Sequence, residues 1–160
     1  MRTSRLAVVI GLLWTSAISC SSPTAPDASV RGVGFYYPIS AQALSQLERL
    51  GTVLTVVRSA RVVLIASGAS SAALGAVHGA VEVGPPLGSA HSVQLEAALR
   101  FAAEPTQEQL TMMTAIGAIT GENQQAHVFI LLVPLENLAR LDTLPGALDV
   151  AVFIDHSIPR

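Results

Sequence analysis

Laid over itself at an offset of 66 residues, the second half of this chain falls on the first. Ser40 meets Thr106, Leu44 meets Leu110, Leu47 meets Met113, Leu50 meets Ile116, Gly51 meets Gly117 and Ala60 meets Ala126. One residue is inserted near Gly68 and Pro134, and the offset becomes 67. Ala72, Leu74, Gly79, Ala80 and Val83 then meet Ala139, Leu141, Gly146, Ala147 and Val150. The matches collect on helix faces and on helix-ending glycines, where residue type is most restricted. One supersecondary unit is used twice.

The pattern inside each copy defines that unit. In the first, Gly32–Ile39 predicts a strand. Ser40 is placed to cap a helix over Ala41–Leu50, and Gly51 stops it. Val53–Val57 and Arg61–Ala66 are β-branched runs that predict a hairpin. Ser71–Val77 predicts a short helix and Ala80–Val83 a last strand. In the second copy, Val93–Ala103 predicts a strand. Thr106 and Gln109 form a capping box ahead of a helix over Gln107–Ile116. Gly117 stops this helix, and Gly121–Gln125 reads as a polar turn. His127–Val133 predicts a strand stopped by Pro134. Leu135–Leu144 predicts a helix with Leu135, Leu138 and Leu141 on one face. Pro145–Gly146 breaks it, and Leu148, Val150, Val152 and Ile154 alternate as a strand does. The resulting order predicts an α+β chain of two tandem ferredoxin-like (split βαβ) plaits, antiparallel sheets with helices on one face. The expected boundaries are 32–84 for the first plait, 85–91 for a linker, 92–155 for the second plait and 156–160 for a tail. A unit of this size buries only about 60% of its chain surface alone, so the two are expected to share a core.

Composition narrows the function. The chain is 51% hydrophobic and 12% charged with net charge −2. The charged share is half the usual value of about 25%, which opposes disorder and leaves surface for self-association through sheet or helix faces. Scattered basic residues, outnumbered by acids, exclude an electrostatic footprint for nucleic acid. At the N-terminus, Arg2 and Arg5 precede an apolar run over Leu6–Trp14, too short to span a bilayer. Residues 1–19 read as a leader. The sequence Ala17-Ile18-Ser19-Cys20 resembles a bacterial lipoprotein signal, which implies lipidation of Cys20. The expectation is an envelope protein, outer-membrane-anchored by lipid and facing periplasm or exterior, with ordinary secretion as the alternative. Residues 20–31, rich in Ser, Pro and Ala, read as a flexible tether.

Catalytic and cofactor chemistry finds no constellation. His78, His91, His127 and His156 lack partners at metal-ligand spacing, and Cys20, the only cysteine, cannot join them. Asp155 and His156 are adjacent, so on a strand they face opposite ways. Ser67–Ser71 lacks the spacing of a nucleophile elbow. Gly32-Val33-Gly34 has neither the third glycine nor the lysine of a phosphate loop. Glu96, Glu104, Glu108 and Glu122 are spread over several elements, and Met112–Met113 suits a core. The chain is therefore expected to be non-enzymatic and to need no cofactor or metal. Phe35, Tyr36 and Tyr37 form a candidate partner surface.

The stretch from Ala126 to Ile154, with its apolar strand, Leu/Ala-rich helix, Leu144-Pro145-Gly146 and final strand, resembles the end of the propeptides of subtilisin-type proteases, the peptidase inhibitor I9 family. Leu138, Leu141, Leu144, Pro145, Gly146, Leu148 and Val150 carry the likeness. Ala72, Leu74, Val77, Gly79, Val81 and Val83 carry a weaker copy. The resemblance implies a non-catalytic plait that inhibits a subtilisin-like serine protease. Asp155, His156, Ser157, Ile158, Pro159 and Arg160 stand in the place of the segment that fills the protease cleft. Such a tail would add to cleft strands by main-chain hydrogen bonds, held ready by the rigid plait. This chain departs from the family in its low charge and its doubled plait. No protease domain follows Arg160, so action on a separate molecule is expected. A different class of role, a tandem plait serving as a structural or small-ligand-binding module of the envelope, is the alternative.

Overall fold

The first sheet runs Thr52–Val57, Val62–Ser67, Ser29–Phe35, Ala80–Val83, the second runs Ala118–Asn123, Val128–Pro134, Val93–Phe101, Ala147–Val152 in the equivalent order, and these pairings are antiparallel. The computed structural model describes residues 28–155 and 158–159. The expected leader, Cys20 and most of the tether lie outside the described residues, as do His156, Ser157 and Arg160. The first unit comprises β1 (Ser29–Phe35), α1 (Ala41–Leu50), β2 (Thr52–Val57), β3 (Val62–Ser67), α2 (Ser71–Gly75) and β4 (Ala80–Val83). The second comprises β5 (Val93–Phe101), α3 (Gln107–Ile116), β6 (Ala118–Asn123), β7 (Val128–Pro134), α4 (Leu135–Thr143, a 3-10 helix) and β8 (Ala147–Val152). A two-residue strand, β9 (Ile158–Pro159), adds to β5. The chain is α+β, with two plait-like units in tandem.

The repeat holds down to single backbone features. Gly32 faces Leu64 as Ala98 faces Ile130, and Gly34 faces Glu82 as Arg100 faces Asp149. The bulge of β2, between Val53 and Thr55, returns in β6 between Ile119 and Gly121. The other bulge, opposite Gly34/Phe35 in β4, returns opposite Arg100/Phe101 in β8. These bulges fall on the outer strands, where they twist a ladder away from unwanted pairing. They also turn Val81 and Leu148, equivalent residues, out to solvent. Arg61 and His127 share a left-handed backbone (φ 56° and 51°) at the hairpin turns. Gly79 and Gly146 share one ahead of the last strands (φ 81° and 79°), a conformation that glycine adopts without strain.

The helix caps form as predicted. The Ser40 hydroxyl accepts from the Ala43 amide, and Thr106 and Gln109 exchange bonds as a capping box. Gly51 and Gly117 end their helices for a different reason from the usual left-handed cap. Both are extended (φ 172° and −163°), and a methyl on either would run into the carbonyl oxygen of Ala66 or Leu132 on the neighbouring strand.

Three expectations need correction. First, Ser29–Arg31, expected in the tether, open β1, and Val30 is fully buried. Second, β6 takes in Gly121–Asn123, expected as part of a polar turn, and Ala118–Thr120, for which the sequence pattern predicts no element. Its sequence AITGEN has little strand character because it is an outer strand with only partial burial. Third, Leu135–Thr143 is a 3-10 helix. Leu135, Leu138, Leu141 and Leu144 are spaced by three and all buried. Side chains three apart eclipse in a 3-10 helix, so one straight row of leucines enters the core.

Of the two buried clusters, one is common to both units and the other belongs to the first. The inner face of the first sheet closes over α1 and α2 with Val33, Phe35, Leu47, Val63, Ile65 and Leu74. Its back face, carrying Val30, Val57, Val62 and Leu64, belongs to the same buried cluster as the second unit's core. Helix α4 packs along β2 to make this junction. Asp142 of α4 fastens it: its carboxylate accepts from the Arg58 and Ser59 amides at 2.8 Å each and from the Ser59 hydroxyl at 2.5 Å. Within the second unit, Asn137 and Arg140 of α4 donate to the carbonyls of Ile116 and Ala115 at 3.0 and 2.8 Å. They satisfy the free oxygens at the end of α3, and Arg140 places a cation at its negative pole.

Candidate functional site

The C-terminal exit of the second plait is the region that the sequence singled out, and it is built from both units. After Val152, the Phe153 amide donates to the Glu96 carbonyl at 3.0 Å. The Ile154 side chain is buried where the second unit's core meets the back face of the first sheet. There is room because Gly32 carries no side chain: a Cβ at Gly32 would overlap the Cβ of Ile154. Gly84 stands as close on another side, where a Cβ would overlap the Ile154 carbonyl oxygen. The Gly84 amide is itself fixed to the Gly32 carbonyl at 2.9 Å.

Beyond this seat the chain returns to β5. Val93 faces Pro159 and Gln94 faces Ile158. The expected tail therefore has described backbone on its own sheet at Ile158 and Pro159. Asp155 is exposed. The segment after the first plait behaves alike. Residues 84–88 run beside β1, with the Leu87 amide donating to the Val30 carbonyl at 2.8 Å and the Val30 amide to the Gly88 carbonyl at 2.9 Å. Leu87 and Ile154, 67 residues apart, are buried apolar side chains in these two segments. The expected linker is thus part of the first sheet's margin, and the tail is its counterpart in the second.

The candidate aromatic surface divides. Phe35 is 7% exposed and belongs to the first unit's core. It does not join a surface, because β1 alternation points it at the helices. Tyr36 and Tyr37 are 64% and 69% exposed, with ring centres 4.9 Å apart in an edge-to-face arrangement. Arg61 donates to the Tyr36 carbonyl and holds this corner.

Other sequence candidates have structural places. Ser67 is buried and donates to the Leu50 carbonyl at 2.6 Å, and Ser70 caps α2. The His78 amide is bonded to Gln46 Oε1 at 2.8 Å. Glu104, Glu122 and His127, dispersed in sequence, line one small depression of about 130 Å³. His91 lines a larger open cleft of about 530 Å³ between the units, with Leu54, Ala90, Leu135 and Glu136. Among the described residues, no three His, Cys, Asp or Glu side chains are grouped to hold a metal ion. No described helix is long and apolar enough to cross a membrane. No protein-family model matches this sequence, and no curated protein matches it.

No local sequence pattern marks Gly32, Gly84 or Asp142 as part of this junction. The signal was in the places where the copies differ. Gly32 stands where the second unit has Ala98, and Asp142 where the first has Gly75. A contact that only one copy makes leaves its mark as a mismatch in the repeat.

Proposed function

We propose that this chain is a non-catalytic binding protein of the subtilisin-propeptide type, which inhibits a subtilisin-like serine protease through Asp155–Arg160. The observation that supports the reading is the seat of Ile154. It fixes the start of the C-terminal segment against both units, so the segment leaves from a defined point. In the free protein, Ile158 and Pro159 pair with β5. Binding in a cleft exchanges those pairings for pairings with the protease, and the exchange lowers affinity relative to a free preorganised arm. The purified protein, titrated against a subtilisin-type protease, is expected to inhibit at micromolar concentration. Deletion of residues 155–160 is expected to abolish inhibition while the melting temperature stays close to that of the full chain. Absence of inhibition by the full chain, or equal inhibition by the truncated one, would overturn the reading.

Envelope anchoring belongs to the same proposal, supported by the lipoprotein-like sequence around Cys20. In a bacterial host, a labelled fatty acid is expected to enter the wild-type protein and not the Cys20→Ala variant. Label in neither would refute the anchor.

A further inference from the structure

We infer that β9 is a self-blocking latch, closed by a single bond-exchanging residue pair, Gln94 with Ile158, and that its opening controls access of the C-terminal segment to a protease. The inference rests on the reading of Asp155–Arg160 as the protease-binding segment, and it concerns how that segment is held back. Successive backbone N–H and C=O groups of a strand point to opposite edges. In β5 the Phe101 amide donates to the His127 carbonyl, so odd-numbered residues bond toward β7. The Glu96 carbonyl accepts from the Phe153 amide, so even-numbered residues bond toward β8. The register with β7 runs without a break from Gln94 to Arg100. Gln94 therefore turns its N–H and C=O to the edge that β8 and β9 share, where it faces Ile158. Val93, which faces Pro159, turns its own groups to the other edge. That suits proline, which has no N–H to give. Two main-chain hydrogen bonds, one in each direction between Gln94 and Ile158, thus close the latch.

The latch can open without disturbing the fold. From Ala97 to Gln94 β5 covers three residues, while from Val152 to Ile158 the facing chain covers six. β9 is therefore a separate re-entry and not a continuation of β8. The seat of Ile154 and the Phe153–Glu96 bond both precede it, so they hold the segment's start whether the latch is open or closed. The first sheet takes a short strand in the same way, where Val30 bonds to Leu87 and Gly88. A protease cleft offers an extended segment the same kind of main-chain bonds. The backbone of Ile158 can serve β5 or the cleft, and the apparent affinity falls with the fraction of molecules whose latch is open.

Gln94→Pro tests this, because it removes the N–H that donates to Ile158, whereas the bonds to β7 belong to the odd-numbered residues. Amide hydrogen exchange followed by NMR reads the latch directly. In the wild type the Ile158 amide is expected to exchange about tenfold more slowly than in an unstructured peptide, and in Gln94→Pro at close to the peptide rate. The variant is then expected to inhibit a subtilisin-type protease about threefold to tenfold more tightly than the wild type. Damage to the fold does not raise affinity, so the direction of the change separates the two. A second variant locks the latch: Val93→Cys with Pro159→Cys, in a Cys20→Ala background, joins directly opposed residues. Its oxidised form is expected to lose inhibition and to regain it on reduction. Peptide-like exchange of Ile158 in the wild type, no tighter inhibition by Gln94→Pro, or equal inhibition by the oxidised and reduced pair would overturn the latch and leave the inhibitor reading standing. No inhibition by any form would remove the inhibitor reading and the latch's role with it, even with Ile158 protected.

Discussion

Replacing Gly32 by alanine should lower the melting temperature, whereas the same change two residues later should not. At Gly32 the added methyl overlaps Ile154. Overpacking of this kind costs about 1–3 kcal/mol, which for a chain of this size corresponds to roughly 3–10 °C. At Gly34 the nearest atom to the added methyl is the Glu82 Cβ at 3.4 Å, and Ile154 Cδ1 is 3.7 Å away, both ordinary contacts. Removing a glycine from an unstrained position stabilises by about 0.4–1 kcal/mol through the unfolded chain. Gly34→Ala is therefore expected to be neutral or slightly stabilising, so the two variants differ in sign. Gly84→Ala should resemble Gly32→Ala, because its methyl meets a backbone oxygen that no rotamer change can move. Thermal melts followed by circular dichroism decide the matter. Equal melting of Gly32→Ala and wild type would show that Ile154 does not seat there.

Leu141→Asp should abolish the folded state of both halves. Leu141 is 1% exposed and lies in the cluster common to the two units. Losing its burial costs about 2–3 kcal/mol, and a buried carboxylate with no partner adds several more. The total exceeds the roughly 5 kcal/mol at the lower end of whole-domain stability. Because the first sheet's back face rests on α4, its structure should be lost in the same transition. Leu148→Asp is the control: Leu148 is 58% exposed on the bulge of β8, and the change should leave the melt nearly unaltered. A Leu141→Asp protein that keeps a native-like spectrum would mean that the leucine row is assigned to the wrong face.

The fold was legible wherever a residue type answers to local physics. Ser40, Thr106 and Gln109 cap helices in any context, and α1 and α3 fall where the caps and apolar spacing put them. Strand β6 was missed because Gly121, Glu122 and Asn123 carry no alternation of their own. The copy at Thr52–Val57 announced it, so the repeat held information that the local pattern lacked. The leucine row of α4 showed its buried side and not its 3-10 geometry, since a spacing of three suits either helix over a short run. The candidate site was less legible. Tyr36 and Tyr37 are exposed as expected, but Phe35 is core, because β1 alternation sets each residue's face regardless of its aromatic neighbours. The pairing of Ile158 and Pro159 with β5 depends on residues more than sixty positions away, and no short-range pattern encodes it.

The seat of Ile154 also sets the order in which this protein can be completed. Gly32 leaves the ribosome more than a hundred residues before Ile154 does. The first plait can close over α1 and α2 early, as N-terminal units generally do, but its back face must then wait. Val30, Val62 and Leu64 remain open to water or to a chaperone until α4 and Ile154 arrive. Pairings of such long sequence separation form slowly. A partly made chain is thus a half-covered sheet, and translation that stalls before Ile154 leaves an aggregation-prone surface that the finished molecule does not show.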